Sequence, residues 1–264
     1  MPILRIEGPT DSRLAPYFNL RSGTHTPDSF VVESSRLVER LLKSNFQTRS
    51  LLVTESKLEQ FRSLVPTGLP VYVGTKAELK EIVGFDLHRG CLAHAAAPSH
   101  DLESVLTQGL GPLTIVLEGL ADPANVGAII RNAAAFGVGL VIADTKGASP
   151  FTRKAARTSA GHLFNIPLVL ANPTQALEEI RARFAEAEII VTTGQQDADA
   201  LEDLSPGGQK VIVFGNEGTG VSQALRKLAD SKRRVELSEG VDSLNVAAAS
   251  ALVLYIVRNT VRKK

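Results

Sequence analysis

From residue 113 onward the chain alternates short apolar runs with helical stretches, and this regularity restricts its possible folds more than any other feature. The runs span 113–117, 140–143, 166–170, 189–192 and 211–214, and each is almost uninterrupted by polar residues. Continuous apolar strands of that length are what a parallel sheet needs when helices cover both of its faces. The intervening segments 126–136, 152–160, 174–184, 221–228 and 244–259 read as those helices. The expected architecture is therefore a doubly wound α/β domain, whose ligands bind beyond the C-terminal ends of the strands.

The part before it is less regular. The apolar stripe Val32, Leu37, Val38, Leu41 and Leu42 predicts a helix over 31–43. Strands are expected at 50–54, 71–73 and 91–97, with a helix over 76–83 capped by Thr75. This mixture suggests a small α/β sandwich. Residues 98–112 carry Pro98, His100, Gly109, Gly111 and Pro112 around a short amphipathic piece at 102–106, and read as a junction. The expected domains are thus 1–105 and 112–264. A chain of 264 residues readily supports two cores.

Composition removes several classes of function. A single cysteine, Cys91, rules out a disulfide framework or a multi-cysteine zinc site within one chain. His25, His88, His94, His100 and His162 form no ligand pair at helical spacing, so no metal site is expected. The net charge is only +1, so any nucleic-acid binding must come from local patches. Candidate patches are Arg36, Arg40 and Lys43; Arg153, Lys154 and Arg157; Lys232, Arg233 and Arg234; and Arg258, Arg262, Lys263 and Lys264. Aromatics amount to 5% with no Trp, which argues against base stacking as the main grip. Arg5, Glu7 and Asp11 interrupt any leader-like apolar run, and the apolar helix at 246–257 is too short to span a bilayer. A cytoplasmic protein without a membrane role is expected.

Three segments carry polar groups where such a sheet binds ligands. In residues 118–131, EGLADPANVGAIIR, the chain turns at Asp122-Pro123 and Asn125 is placed to start a helix. Gly127 in the first turn costs about 1 kcal/mol relative to Ala, which suggests close packing there. Arg131 follows on an otherwise apolar helix and needs an anion or a cleft. In residues 214–220, FGNEGTG, three glycines permit close backbone approach. That loop lacks the Lys-Ser/Thr pair of a phosphate-binding P-loop, and its glycine spacing does not fit the dinucleotide fingerprint. In residues 235–245, VELSEGVDSLN, Ser243 or Asn245 caps a final helix that is apolar nearly all round.

Together and in this order the segments resemble the SpoU (TrmH-like) family of RNA 2′-O-ribose methyltransferases, within the SPOUT superfamily. The resemblance rests on Asn125, Gly127 and Arg131; on Gly215, Glu217, Gly218 and Gly220; on Ser243, Leu244, Asn245 and Val246; and on the Ser-Ala-Gly element in residues 157–164. It implies S-adenosylmethionine as cofactor, a C-terminal trefoil knot and a homodimer joined through the knotted domain. It further implies that Gly215, Gly218, Leu237 and Leu244 contact the cofactor, with Asn125, Arg131, Glu217, Ser243 and Asn245 as the catalytic set. The stretch 237–243 is shorter than in many relatives and lacks their proline. The first 105 residues resemble an L30e-like RNA-binding domain, which favours ribosomal over transfer RNA as substrate. Two other readings compete: a non-catalytic RNA-binding protein on the same fold, and a small-molecule enzyme on a nucleotide-binding fold. The second lacks a glycine fingerprint after the first strand.

Overall fold

The computed structural model of the chain describes residues 2–20, 28–87, 89–98 and 101–262. His25, His88, His100, Lys263 and Lys264 lie outside the described residues. In chain order the first elements are β1 (Ile3–Arg5), β2 (Ser29–Glu33), α1 (Ser35–Leu42), β3 (Thr48–Thr54), α2 (Glu55–Phe61), β4 (Val71–Gly74), α3 (Lys76–Val83) and β5 (Cys91–Ala96). There follow α4 (Leu102–Thr107), β6 (Leu113–Leu117), α5 (Pro123–Phe136), β7 (Leu140–Asp144), α6 (Arg153–Thr158), β8 (Leu168–Ala171), α7 (Pro173–Arg183) and β9 (Glu188–Thr192). The last are β10 (Asp199–Ala200), β11 (Lys210–Phe214), α8 (Gln223–Leu228), β12 (Ser231–Arg234) and α9 (Val246–Arg262).

The chain forms two compact units. One comprises Met1–Pro98 with Phe151–Phe164, the other Ser99–Pro150 with Asn165–Lys264. The helix expected over 31–43 begins only at Ser35, because residues 29–33 are strand β2, paired antiparallel with β5. Its run Phe30-Val31-Val32 is apolar, one aromatic and two β-branched residues, which suits a buried strand as well as a helix stripe. The first unit's sheet runs β1-β4-β3-β5-β2. Thr75 caps α3 as expected, through a full capping box with Glu78.

Residues 151–164 were expected in the catalytic half, yet they pack with the first unit. Phe151 and Phe164 join Phe30 and Phe46 in one aromatic cluster, with centroids 5.4–6.4 Å apart. Arg153 donates to the Glu33 carboxylate and to the Leu20 carbonyl, and its guanidinium lies 4.4 Å from the Phe85 ring centre. Arg40 donates to the Ala160 carbonyl. Two cations of the candidate patches are therefore spent on internal structure. A Cβ on Gly161, at φ +80°, would stand 2.9 Å from Leu37, which explains the glycine of the Ser-Ala-Gly element.

The second unit holds a seven-stranded sheet ordered β10-β12-β9-β11-β6-β7-β8, in which every pairing is parallel. All five expected strands are present. β10 and β12 are additional: one has two residues and the other reads Ser-Lys-Arg-Arg, so neither shows an apolar run. Helix α4, read as part of a junction, belongs to this unit's core through Leu102 and Leu106. The sheet order reverses at β6. Its partner β11 runs in register so that Leu117 meets Phe214, which brings the loops after these two strands side by side.

Candidate functional site

Beyond the C-terminal ends of β9, β11 and β12 a cleft of about 550 Å³ opens, within the size range of small-ligand sites. Its walls come from the loop after β9 (192–195), the loop after β11 (215–220), residues 233–237, and residues 243–246 at the head of α9.

The loop after β11 folds back on itself. Asn216 and Gly220 exchange two main-chain hydrogen bonds, of 3.2 and 2.9 Å. The Asn216 Oδ1 accepts from the N–H groups of Gly218 and Thr219, and its Nδ2 donates to the Gly119 carbonyl at 2.7 Å. The Ser222 N–H donates to the Glu118 carboxylate at 2.7 Å. Both contacts fix the glycine-rich loop to the end of β6. A Cβ on Gly215 would stand 2.3 Å from the Val221 nitrogen and 2.4 Å from the Gly220 carbonyl carbon, so the turn admits no side chain there.

Helix α5 starts earlier than its sequence suggested. Asp122 is the N-cap, accepting from the Ala124 N–H, with Pro123 in the first turn. Asn125 is thereby released from capping. Its Nδ2 donates to Glu217 Oε1 at 2.8 Å, and its Oδ1 accepts from Asn245 Nδ2 at 3.2 Å. Asn245 itself caps α9 through the N–H groups of Ala247 and Ala248. The other Glu217 oxygen accepts from the Ala121 N–H. One hydrogen-bonded chain, Asn245–Asn125–Glu217, thus ties together groups from all three motifs. Burial opposes ionisation of Glu217, but hydrogen bonds from Asn125 and from main-chain N–H groups outweigh it and hold the carboxyl below its ordinary value.

The structure gathers Gly215, Glu217, Gly218, Leu237, Ser243, Leu244 and Asn245 along the cleft, with Asn125 behind Glu217 and Asn245. Arg131 is not brought there. It lies six residues beyond Asn125, about 240° round the helix, and is exposed beside Ala128 and Ala135. Its guanidinium makes no hydrogen bond or ion pair among the described residues. Sequence reasoning missed Asn216, Glu118 and Asn132. The last donates from Nδ2 to the Ala247 carbonyl and the Ser250 hydroxyl, joining α5 to α9. Asn216 carried a signal, since Asn beside Gly favours a self-bonded turn; Glu118 and Asn132 act across more than a hundred residues and carried none.

The model of the SpoU rRNA methylase family matches residues 112–255. The chain belongs to the SpoU family. As a member it is a methyltransferase, with S-adenosylmethionine as methyl donor. An uncharacterized tRNA/rRNA methyltransferase of Mycobacterium tuberculosis is 32% identical over 94% of this chain and 88% of its own length. A 23S rRNA guanosine 2′-O-methyltransferase of Bacillus subtilis is 27% identical, covering 88% of this chain and 89% of its own. Among solved structures, an rRNA methyltransferase of Sinorhizobium meliloti superposes with a TM-score of 0.81 at 23% identity, over 97% and 98% of the two chains. The SpoU methyltransferase AviRb of Streptomyces viridochromogenes gives 0.79 at 22%, over 95% and 97%. These superpositions establish the fold.

The cleft suits the family's cofactor. Phe214, Leu201, Leu237, Leu244 and Val253 offer apolar wall for an adenine ring, and the loops at 192–195 and 215–220 offer main-chain groups. The Nε of Arg233, in the same wall, is buried with no hydrogen-bond partner among the described residues. Such a donor is costly unless a ligand satisfies it. No cluster of His, Cys, Asp or Glu that could hold a metal occurs among the described residues.

Proposed function

We propose that this SpoU-family enzyme methylates the 2′-hydroxyl of a ribose in RNA, with ribosomal RNA favoured over transfer RNA. The observation that carries this reading is the Asn245–Asn125–Glu217 chain on the rim of the cofactor-sized cleft. It joins the three motifs into one polar edge where a nucleotide meets the methyl donor. The Bacillus subtilis relative, named for 2′-O-methylation of 23S rRNA, supports the choice of acceptor and of RNA class.

S-adenosylmethionine brings an already activated methyl group, so the protein's work is positioning. Gly215, Gly218, Leu237 and Leu244 hold the donor. Glu217, ionised and with both oxygens accepting hydrogen bonds, fixes the side-chain amide of Asn125 and is a poor proton acceptor at neutral pH. Ser243 and Asn245 complete the edge. Arginine stays protonated in proteins, so Arg131, which stands outside this chain's cleft on the α5 face assigned below to the dimer, serves from there as a bidentate clamp on a phosphate that orients the ribose, rather than as a base.

Three further assignments belong to this reading. The first is an L30e-like RNA-binding domain over 1–105 followed by a methyltransferase domain over 112–264, with residues 99–105 and 151–164 crossing these bounds to pack with the second and the first unit respectively. The second domain ends in a trefoil knot, supported by the close approach of the 238–245 segment to the loop after β9, where a Cβ on Gly194 would lie 3.2 Å from the Asp242 carbonyl. The enzyme is a homodimer through α9 and α5. Leu252 and Tyr255 are exposed on α9, where Tyr255 packs against Phe136 of α5, the helix that also carries Arg131. The enzyme works in the cytoplasm; no helix among the described residues is long and apolar enough to cross a membrane.

The test is transfer of labelled methyl from S-adenosylmethionine to RNA of a strain lacking the gene, with ribosomal and transfer fractions counted apart. Label in the ribosomal fraction supports the reading. Label confined to transfer RNA overturns the RNA class. Absence of label together with absence of cofactor binding favours a non-catalytic RNA-binding protein.

A further inference from the structure

Three cations line the cleft: Arg226, Arg233 and Arg234. Two have their terminal guanidinium nitrogens held by the protein, the Nε of Arg233 alone lacking a partner. Arg233 donates to the Ala200 carbonyl at 3.1 Å and faces Asp199 at 3.9 Å, with a side chain only 13% exposed. Arg234 donates to the Ala198 carbonyl at 3.0 Å and to the Glu236 carboxylate at 3.2 Å. Arg226, from α8, makes no side-chain hydrogen bond or ion pair among the described residues. Its Nη2 lies 3.6 Å from where a Cβ on Gly220 would stand, so the bare glycine leaves its guanidinium open at the tip of the loop after β11. Glu217 is the one acidic side chain in the lining, and its oxygens are taken.

The methyl donor carries one carboxylate, on its methionyl tail. Taking a carboxylate out of water is costly unless a cation meets it, and a guanidinium fork matches its two oxygens. We propose that Arg226 binds the methionyl carboxylate of S-adenosylmethionine and thereby selects the intact amino-acid tail. This rests on the cleft being the cofactor site. Arg226 acts here in binding, outside the polar edge formed by Asn125, Glu217 and Asn245. RNA phosphate is the competing partner for such a cation. It is less favoured because Arg226, though exposed, borders the same cleft as the apolar wall.

The test is calorimetric titration of the full chain with S-adenosylmethionine and with its decarboxylated analogue. The wild type should prefer the intact cofactor by about ten- to a hundredfold, the worth of a charge-assisted pair. Arg226→Ala should lose that preference by weakening the intact cofactor alone, and Arg226→Lys should keep part of it. Arg234→Ala, a perturbation of the wall, should weaken both ligands and keep the preference. Equal loss of both ligands in Arg226→Ala would overturn the proposal, as would loss of the preference in Arg233→Ala instead. Unchanged cofactor affinity with weakened RNA binding would reassign Arg226 to phosphate. A wild type that binds neither ligand would overturn the cofactor-site reading itself, and the proposal with it.

Discussion

Asn125 illustrates how a single residue changes role with its neighbours. As a helix cap it would have spent its side chain on a main-chain N–H; with Asp122 taking that position, its amide spans Glu217 and Asn245. Glu217→Gln should therefore place an amide donor against a donor and lower turnover, while leaving cofactor affinity within a few-fold, as read by single-turnover rates and titration. The same carboxylate gives a pH signature. Its folded-state value is depressed, so its contribution to stability is present above the ordinary 4.5 and is lost as pH falls below it. Denaturant midpoints of the wild type should fall across that acid range by an increment absent in Glu217→Gln. Arg131→Ala should lower turnover at least tenfold with unchanged cofactor Kd, and Arg131→Lys should restore little if a planar fork is required. Near-normal turnover of Arg131→Ala would remove it from the catalytic set.

At the scale of elements, the final helix is secured by side chains as much as by its apolar face. Asn132 bridges α5 to the Ala247 carbonyl and Ser250 hydroxyl, and Ser250 is fully buried. Asn132→Ala removes both bonds while the Ser250 hydroxyl still donates to the Ala247 carbonyl, and should cost about 0.5–1.5 kcal/mol in denaturant unfolding, with the loss of cofactor affinity following. Elements also show what a sequence displays and what it hides. Of the five expected strands, β6, β7, β9 and β11 were visible because burial on both faces demands continuous apolar residues and the edge strand β8 by its apolar run, and α3 because Thr75 and Glu78 form a local capping box. β12 was invisible: Ser-Lys-Arg-Arg is held by pairing between β9 and β10, with each arginine donating one hydrogen bond to a main-chain carbonyl of the 198–200 segment. β2 was mistaken for the start of a helix because Phe30-Val31-Val32 fits either period. The site was legible as three motifs. What joins them was not, because Glu118 with Ser222 and Asn132 with Ala247 meet only through the order of the sheet.

At the scale of the molecule, the two compact units share a chain that visits the first of them twice, and residues 151–164 bring four phenylalanines together there. With a net charge of +1, RNA affinity should depend on local cations and fall steeply with salt. A homodimer through α9 predicts that Leu252→Glu with Tyr255→Glu yields monomers in sedimentation velocity, with secondary structure retained. A dimer that survives both changes would place the interface elsewhere. The central claim is the chemistry of the acceptor. The most direct measurement is mass spectrometry of nucleosides from RNA of a gene-lacking strain after incubation with the enzyme and isotope-labelled S-adenosylmethionine. The account predicts one labelled 2′-O-methylated nucleoside from the ribosomal fraction. A labelled methyl on a base instead of a ribose would contradict it.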